Sequence, residues 1–201
     1  NERGELEGQH WSGNFGHERL VAVRNPDAEL DMSSVATAMK DAAVKLQFTF
    51  PDLDGKPVSL ADPRFQGKVV IVTLAGSWCP NCHDEASFLA QLYREHRAEG
   101  LEIVSLMFEH SADFTQAASA TRRFRKATGI DYATLIAGTS DGDDAVKALP
   151  QLTGVFAFPT TIWVDRAGGV RRIHAGFSGP ATGARYTELT SEFTDFTLGL
   201  L

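Results

Sequence analysis

Two predominantly apolar runs dominate the middle of the chain, and each is typical of a strand buried on both faces. The first is Val69–Val72, which consists only of β-branched residues, and the second is Leu101–Phe108. Between them, apolar residues recur at helical spacing until Gly100, which predicts a helix that ends at this glycine. The order strand, helix, strand predicts two parallel strands joined by a crossover helix.

Shorter elements flank this unit on both sides. Upstream, the stretches LQFTF and PDLDGKPVSL predict a hairpin that turns at Asp54–Gly55. Downstream, the pattern predicts a helix over Ser111–Thr128, a strand over Asp131–Ile136, a helix over Asp141–Leu149, strands over Thr160–Val164 and Val170–His174, and a final helix over Tyr186–Leu198. An antiparallel hairpin that follows a parallel unit predicts a mixed sheet.

The first 45 residues differ in composition from the rest. Two alternating runs around Gly13 and Gly16 predict a β-hairpin, and Asp31–Lys45 has helical character. We therefore expect an N-terminal extension over residues 1–45, a hairpin plus a helix, as the tail of a larger N-terminal region or an addition packed on the main domain. The main domain is expected over residues 46–201.

Composition narrows the class of protein. The chain has 201 residues, enough for one domain with a sizeable core. Its net charge of −7 gives no basic surface for nucleic acid, and no apolar run has the length of a membrane span. Because the chain begins with Asn1 rather than Met, we expect a processed protein or fragment, whose missing N-terminus could hold a signal peptide or membrane tether.

The candidate chemistry lies in the only two cysteines, Cys79 and Cys82, which stand where the first buried strand meets the helix. A single pair excludes a framework of structural disulfides and leaves a redox or metal pair. Pro80 suits the first helical turn. The positive end of the helix lowers the pKa of a thiol there, so Cys79 is predicted to be the exposed nucleophile and Cys82 the more buried resolving thiol.

The chain resembles the TlpA/ResA-like thiol–disulfide oxidoreductases of the thioredoxin superfamily over residues 46–201. The resemblance depends on the order and spacing of FPDLDGKPVSL, KVVIVTLAGSWCPNC, FAFPTTIWVDRAGGV and the final helix. It implies an α/β fold: a thioredoxin-like three-layer sandwich with a mixed central sheet, an N-terminal β-hairpin and an inserted αβα segment.

The same resemblance implies a function. The chain would exchange disulfides with protein substrates through a redox-active Cys79–Cys82 disulfide, with no other cofactor and no metal. It would act as a reductant outside the cytoplasm, in the periplasm or anchored to a membrane facing it, and an upstream thiol donor would supply its electrons.

Substrate-binding residues follow from the resemblance too. Pro159 would be a cis proline facing the cysteines, and the backbone of Phe158 would pair with a bound peptide as one strand pairs with another. Trp78 and Pro80, on either side of Cys79, would contact the substrate.

A carboxylate for proton transfer is less obvious. Many thioredoxins have a buried Asp where this chain has Thr73, which cannot act as a base. Glu109, just after the second buried strand, matches a Glu of the family and is the predicted third catalytic residue, with a raised pKa beneath the cysteines. Glu85 keeps an acidic position of the family, and we interpret it as a charge on the helix surface.

Three alternatives remain to be tested. The run from Cys79 to His83 reads CxxCH, the attachment motif of c-type haem, but a buried strand leading into it leaves no room for a porphyrin. Zinc would find at most three ligands there. A peroxiredoxin-like peroxidase would need Thr or Ser three residues before its cysteine, where this chain has Gly76.

Overall fold

The computed structural model of the protein describes residues 5–12, 16–26 and 36–201. Its contacts divide the chain into two units, Asn1–Ser34 and Val35–Leu201. Within the first unit, β1 (Glu5–Ser12) pairs antiparallel with β2 (Gly16–Val23). This pairing confirms the predicted N-terminal hairpin, while the residues of its turn lie outside the described residues.

The helix expected over Asp31–Lys45 is not formed by residues 36–45, and residues 31–35 lie outside the described residues. Met39 instead forms a β-bridge with Leu152. The carboxylate of Asp41 accepts a hydrogen bond from the backbone of Ala43, a local turn that competes with helix formation. By their contacts, residues 36–45 cluster with the second unit. The limits 46–201 expected for the thioredoxin-like domain remain a prediction.

The strands of the second unit are β3 (Thr49–Pro51), β4 (Pro57–Ser59), β5 (Val69–Ala75), β6 (Leu101–Glu109), β7 (Ala133–Thr139), β8 (Thr160–Val164) and β9 (Val170–Ala175). Five of them form a mixed sheet with the order β7–β6–β5–β8–β9, and β3 and β4 form a separate antiparallel pair. Strands β5, β6 and β7 are parallel to one another, and β8 and β9 are antiparallel to their neighbours. The helices are α1 (Pro80–His96), α2 (Phe114–Thr128), α3 (Gly142–Ala148) and α4 (Ala184–Leu198).

This arrangement confirms the predicted thioredoxin-like fold, with small shifts at the ends of elements. The predicted crossover helix ends in a 3₁₀ turn before Gly100, whose backbone is left-handed with φ 107°, as a C-terminal glycine allows. Helix α2 starts three residues later than predicted, because the side chain of Asp113 accepts a hydrogen bond from the backbone of Gln116 and caps it. None of the described helices is long and apolar enough to cross a membrane.

Strand β5 is buried along its whole length because a hydrophobic cluster covers each face of the sheet. On one face, Ile71 packs in a cluster with Leu89 of α1 and Phe193 of α4. On the other, Val72 packs in a cluster with Phe48 and with residues around α3. Two covered faces explain why the strand is continuously apolar rather than alternating.

We expect Leu89→Ala to lower the free energy of unfolding by about 3 kcal/mol, the cost of a cavity in a core that cannot collapse around it. Leu89 is fully buried. The matched control is Leu198→Ala on α4, whose side chain is 43% exposed and whose truncation should change stability by less than about 0.5 kcal/mol. Urea unfolding of both variants makes the comparison, and equal losses would contradict the packing described for α1.

Candidate active site

The two cysteines lie at the start of α1, just beyond the end of β5. Cys79 is the N-cap residue, with an extended backbone, and Pro80 occupies the first helical turn. The carbonyl of Cys79 accepts hydrogen bonds from the backbone N–H groups of Cys82 (3.1 Å) and His83 (3.3 Å). Both thiols are therefore held within the first turn of the helix, where the free N–H groups favour negative charge.

The two thiols are free and differ in their environments. Cys79 is 6% exposed and Cys82 1%, so the predicted order of exposure is correct, although Cys79 is more covered than expected. A hydrogen bond from the Cys82 thiol, assisted by backbone N–H groups and opposed by burial, lowers the pKa of Cys79 to about 7. The same hydrogen bond, burial and the negative charge on Cys79 raise the pKa of Cys82. The pair thus offers a thiolate at Cys79 near neutral pH beside a thiol that keeps its proton.

Glu85 is the carboxylate beneath the cysteines. It is 1% exposed, so its interpretation as a surface charge is wrong. Thr73 donates a hydrogen bond of 2.6 Å to one of its oxygens, and Thr161 donates to the other. Burial and, to a smaller extent, the charge of Cys79 raise the pKa of Glu85 to about 7, although the two hydrogen bonds lower it.

A signal for Glu85 was available in the sequence. Cys82, Glu85, Ala86 and Leu89 fall at helical spacing on the buried side of α1. A carboxylate on that apolar stripe, opposite a threonine in an otherwise apolar strand, indicates a buried polar pair rather than a surface charge.

Glu109 is also buried, at the end of β6, but it contacts the loop before the cysteines. Its carboxylate accepts hydrogen bonds from the backbone N–H of Ser77 (3.1 Å), the hydroxyl of Ser77 (2.7 Å) and the hydroxyl of Thr121 on α2 (3.1 Å). These contacts fix the segment that leads into Cys79. A part for Glu109 in proton transfer remains a prediction.

Trp78 forms an aromatic surface beside Cys79 and is 37% exposed. Its indole N–H donates a hydrogen bond of 2.8 Å to the carbonyl of Phe108, and its ring stacks on His110 with centroids 5.0 Å apart. The indole lies directly on Gly76, where an added Cβ would come within 2.3 Å of the indole nitrogen. Only glycine therefore leaves room for Trp78 in this position.

The peptide bond between Phe158 and Pro159 is cis, as the resemblance implied. The carbonyl of Phe158 lies 3.5 Å from the sulfur of Cys79, which donates to it as a thiol. The ring of Phe158 packs edge-on against Trp78 at 5.7 Å. The structure thus brings Trp78, Phe158 and Pro159 together with Cys79, and Pro80 lies exposed next to it. Their part in binding substrate remains a prediction.

His83, the last residue of the CxxCH run, is already engaged. Its Nε2 donates a hydrogen bond of 2.8 Å to the carbonyl of Ser77, and its ring packs edge-on against Phe124 of α2 at 4.6 Å. Within the part of the chain that the structure describes, no group of three or more His, Cys, Asp or Glu side chains could hold a metal ion.

Comparisons with known proteins agree with this site. The chain is similar to the thiol-disulfide oxidoreductase ResA of Bacillus thuringiensis subsp. konkukian, with 31% identity over 123 residues, and to ResA of Bacillus subtilis, with 26% identity over 129 residues. The first match covers 61% of this chain and 62% of the relative, and the second 64% of each, so the matched region spans less than two thirds of these relatives.

Among solved structures, a thiol:disulfide interchange protein of the thioredoxin family from Chlorobium tepidum shares the fold. It has 22% identity and a TM-score of 0.55, and the alignment covers 76% of this chain and 99% of that one. The model of the family described as Redoxin matches residues 37–188, which include both cysteines. Because this match spans well over half of the 201 residues, the chain belongs to the Redoxin family.

Proposed function

We propose that the chain is a thiol–disulfide oxidoreductase that reduces disulfides of protein substrates through Cys79 and Cys82. The observation that carries the proposal is the contrast between the two thiols. The pKa of Cys79 is lowered to about 7, while that of Cys82 is raised. A pair with one ready thiolate and one protonated thiol suits exchange through a mixed disulfide, in which one sulfur attacks and the other resolves.

The proposed reaction proceeds in two displacements. The Cys79 thiolate attacks one sulfur of the substrate disulfide, which forms a mixed disulfide and releases the first substrate thiolate. Cys82 then loses its proton and attacks the sulfur of Cys79, which closes the Cys79–Cys82 disulfide and releases the second substrate thiolate. Two electrons pass from the cysteine pair to the substrate, so a thiol donor must reduce the pair again before the next cycle.

Glu85 is the proposed acceptor of the Cys82 proton. Its charge raises the pKa of Cys82, which shows that the two groups interact electrostatically. Its own pKa of about 7 allows it to accept a proton in one half-cycle and to return it in the other. Glu109 is assigned a positioning part, because its hydrogen bonds hold Ser77 and thereby the loop that carries Trp78 and Cys79.

The proposed direction of exchange is supported by how far the thiol pKa is lowered. A value of about 7 at Cys79 is close to that of thioredoxin, about 7, and far from that of the strong oxidant DsbA, about 3.5. A weakly stabilised thiolate gives up electrons more readily, which supports a reductant. The resemblance to ResA-like proteins supports a location outside the cytoplasm and an upstream thiol donor. The substrate would lie against Trp78, Pro80 and the Phe158–Pro159 segment.

We expect an equilibrium reduction potential closer to that of thioredoxin, about −270 mV, than to that of DsbA, about −120 mV. The reason is the modest stabilisation of the Cys79 thiolate. Titration with glutathione or dithiothreitol buffers, followed by trapping of free thiols and mass spectrometry, measures it. A potential near that of DsbA would show that the chain is an oxidant.

Variants of the cysteines test the order of attack. After exposure to an oxidised test peptide, Cys82→Ser should accumulate a mixed disulfide on Cys79, because the resolving thiol is absent. Cys79→Ser should form no adduct at a comparable rate, since the pKa of Cys82 is raised and the residue is only 1% exposed. Mass spectrometry of both variants reads the outcome, and fast adducts on Cys82 would reverse the assignment.

Glu85→Gln and Glu109→Gln separate the two buried carboxylates. Removing the negative charge of Glu85 should move the pH midpoint of Cys79 alkylation downward by up to about one unit, because a like charge disfavours the thiolate. Glu109→Gln serves as the matched variant and should leave the midpoint in place. Iodoacetamide alkylation across a pH series measures both, and a shift confined to Glu109→Gln would return the proton-transfer part to Glu109.

A further inference from the structure

A row of polar residues crosses the otherwise apolar centre of the sheet. One residue from each strand takes part, and each stands directly opposite the next in the strand register. In order across the sheet they are His174, Thr161, Thr73, Ser105 and Thr134. Ile71, Thr73 and Ala75 are two residues apart along β5 and therefore point to the same face of the sheet. Ile71 and Ala75 pack with residues of α1, so the row lies on the face that α1 covers. Buried polar groups are costly without partners, so such a row calls for a physical reason.

Glu85 reaches this row from α1. Its carboxylate accepts hydrogen bonds from Thr161 and Thr73, which are the second and third residues of the row counted from His174. Thr161 and Thr73 are 0% and 1% exposed, so neither gives Glu85 direct access to water. A carboxylate that changes protonation in each cycle nevertheless has to exchange its proton with solvent.

The two ends of the row differ in their access to solvent. At the β7 end, Ser105 and Thr134 are 1% and 3% exposed. At the β9 end, His174 is only half-buried and lines a surface cleft of about 480 Å³ together with Asn81, which stands between the two cysteines. Among the described residues of the row, His174 is thus the one that meets solvent, and it does so beside the CxxC motif.

We propose that His174 exchanges the proton of Glu85 with solvent through the hydroxyl of Thr161. His174 and Thr161 are directly opposite on β9 and β8, which places their Cβ atoms about 5 Å apart and within reach of one bridging water. His174 would act through Thr161 and Glu85 without touching the substrate. The inference rests on the proposed function, since only the resolving step delivers a proton to Glu85.

In the proposed transfer, one proton moves from Cys82 to solvent in successive steps. Cys82 gives its proton to the Glu85 carboxylate and attacks the sulfur of Cys79. Protonated Glu85 passes its proton to the Thr161 oxygen, and the Thr161 hydroxyl proton moves to the bridging water. That water gives a proton to one ring nitrogen of His174. His174 then releases the proton on its other nitrogen to water in the cleft. One proton leaves for each disulfide closed, and Glu85 is again a carboxylate.

The surroundings of His174 suit this part. Burial and the positive charge of Arg172 on its own strand lower its pKa, against the negative charge of Glu192 on α4. Its ring packs edge-on against Phe193 at 5.0 Å, and Arg185 and Glu188 of α4 line the same cleft. A neutral imidazole at physiological pH has one nitrogen that accepts a proton and one that donates, as a relay requires.

The test follows proton release directly. The experiment is a single turnover with dithiobis-nitrobenzoate at a pH well above the pKa of about 7 at Cys79, where Cys79 is already a thiolate. The coloured product thiolates stay ionised there, so the proton that appears comes from Cys82. A pH-indicator dye in stopped flow should show proton release in step with colour in the native protein. In His174→Ala, proton release should lag behind colour by about a hundredfold, the low end of what a positioned proton-transfer group contributes. Imidazole added to the solution should enter the cleft and restore the steady-state turnover of this variant.

Matched variants keep the outcome interpretable. His96→Ala removes an imidazole that pairs with Glu99 at the far end of α1 and should behave as native. His174→Gln keeps the volume without a titratable group and replaces the alanine variant if that one unfolds. Proton release in step with colour in the His174 variants would overturn the proposal. Absence of a mixed disulfide in Cys82→Ser would instead overturn the proposed function, so the two failures are distinguishable.

Discussion

The burial of one carboxylate between two threonine hydroxyls is the interaction on which the site depends. Removing an ionised Glu85 from water would cost several kcal/mol without compensation. The hydroxyls of Thr73 and Thr161 offset part of this cost, and the pKa of about 7 lets the group become neutral. Because Thr73 lies on β5 and Thr161 on β8, this contact also fixes α1 over the junction of the parallel and antiparallel halves of the sheet.

The same carboxylate links the fold to the chemistry. The hydrogen bond with Cys79 and burial raise the pKa of Cys82 most, and the negative charge of Glu85 adds to this, while the N-terminus of the helix favours a negative charge on Cys79. The thiols therefore differ because they lie on opposite sides of one turn: Cys79 at the N-cap faces the rim, and Cys82 faces the sheet. A more polar environment under the helix would reduce this contrast, so the apolar core around Glu85 is part of the mechanism.

Much of the fold could be predicted because its signals are local. The apolar run of β5, the stop at Gly100 and the position of the cysteines each depend on a few neighbouring residues, and the family resemblance added the cis bond before Pro159. The interpretation of Glu85 as a surface charge is wrong because it considers only the charge of the side chain and not its position on the apolar stripe of α1. The segment 36–45 was misjudged because helical composition there competes with a bridge to Leu152, which is distant in sequence. The cross-strand neighbours of Thr161 could not be predicted, since register depends on the whole sheet.

Two different kinds of support hold the cysteines from opposite sides. Above them, the loop that carries Trp78 is fixed by polar contacts of Ser77: its backbone N–H and hydroxyl bind Glu109, and its carbonyl binds His83. Below them, Glu85 accepts hydrogen bonds from Thr73 and Thr161 within a mostly apolar layer. The upper contacts fix the loop that carries Trp78 and Cys79, and the lower contacts tie the helix of the cysteines to the sheet. The two buried carboxylates therefore support the cysteine pair through different elements, Glu109 through the loop before it and Glu85 through the sheet beneath it.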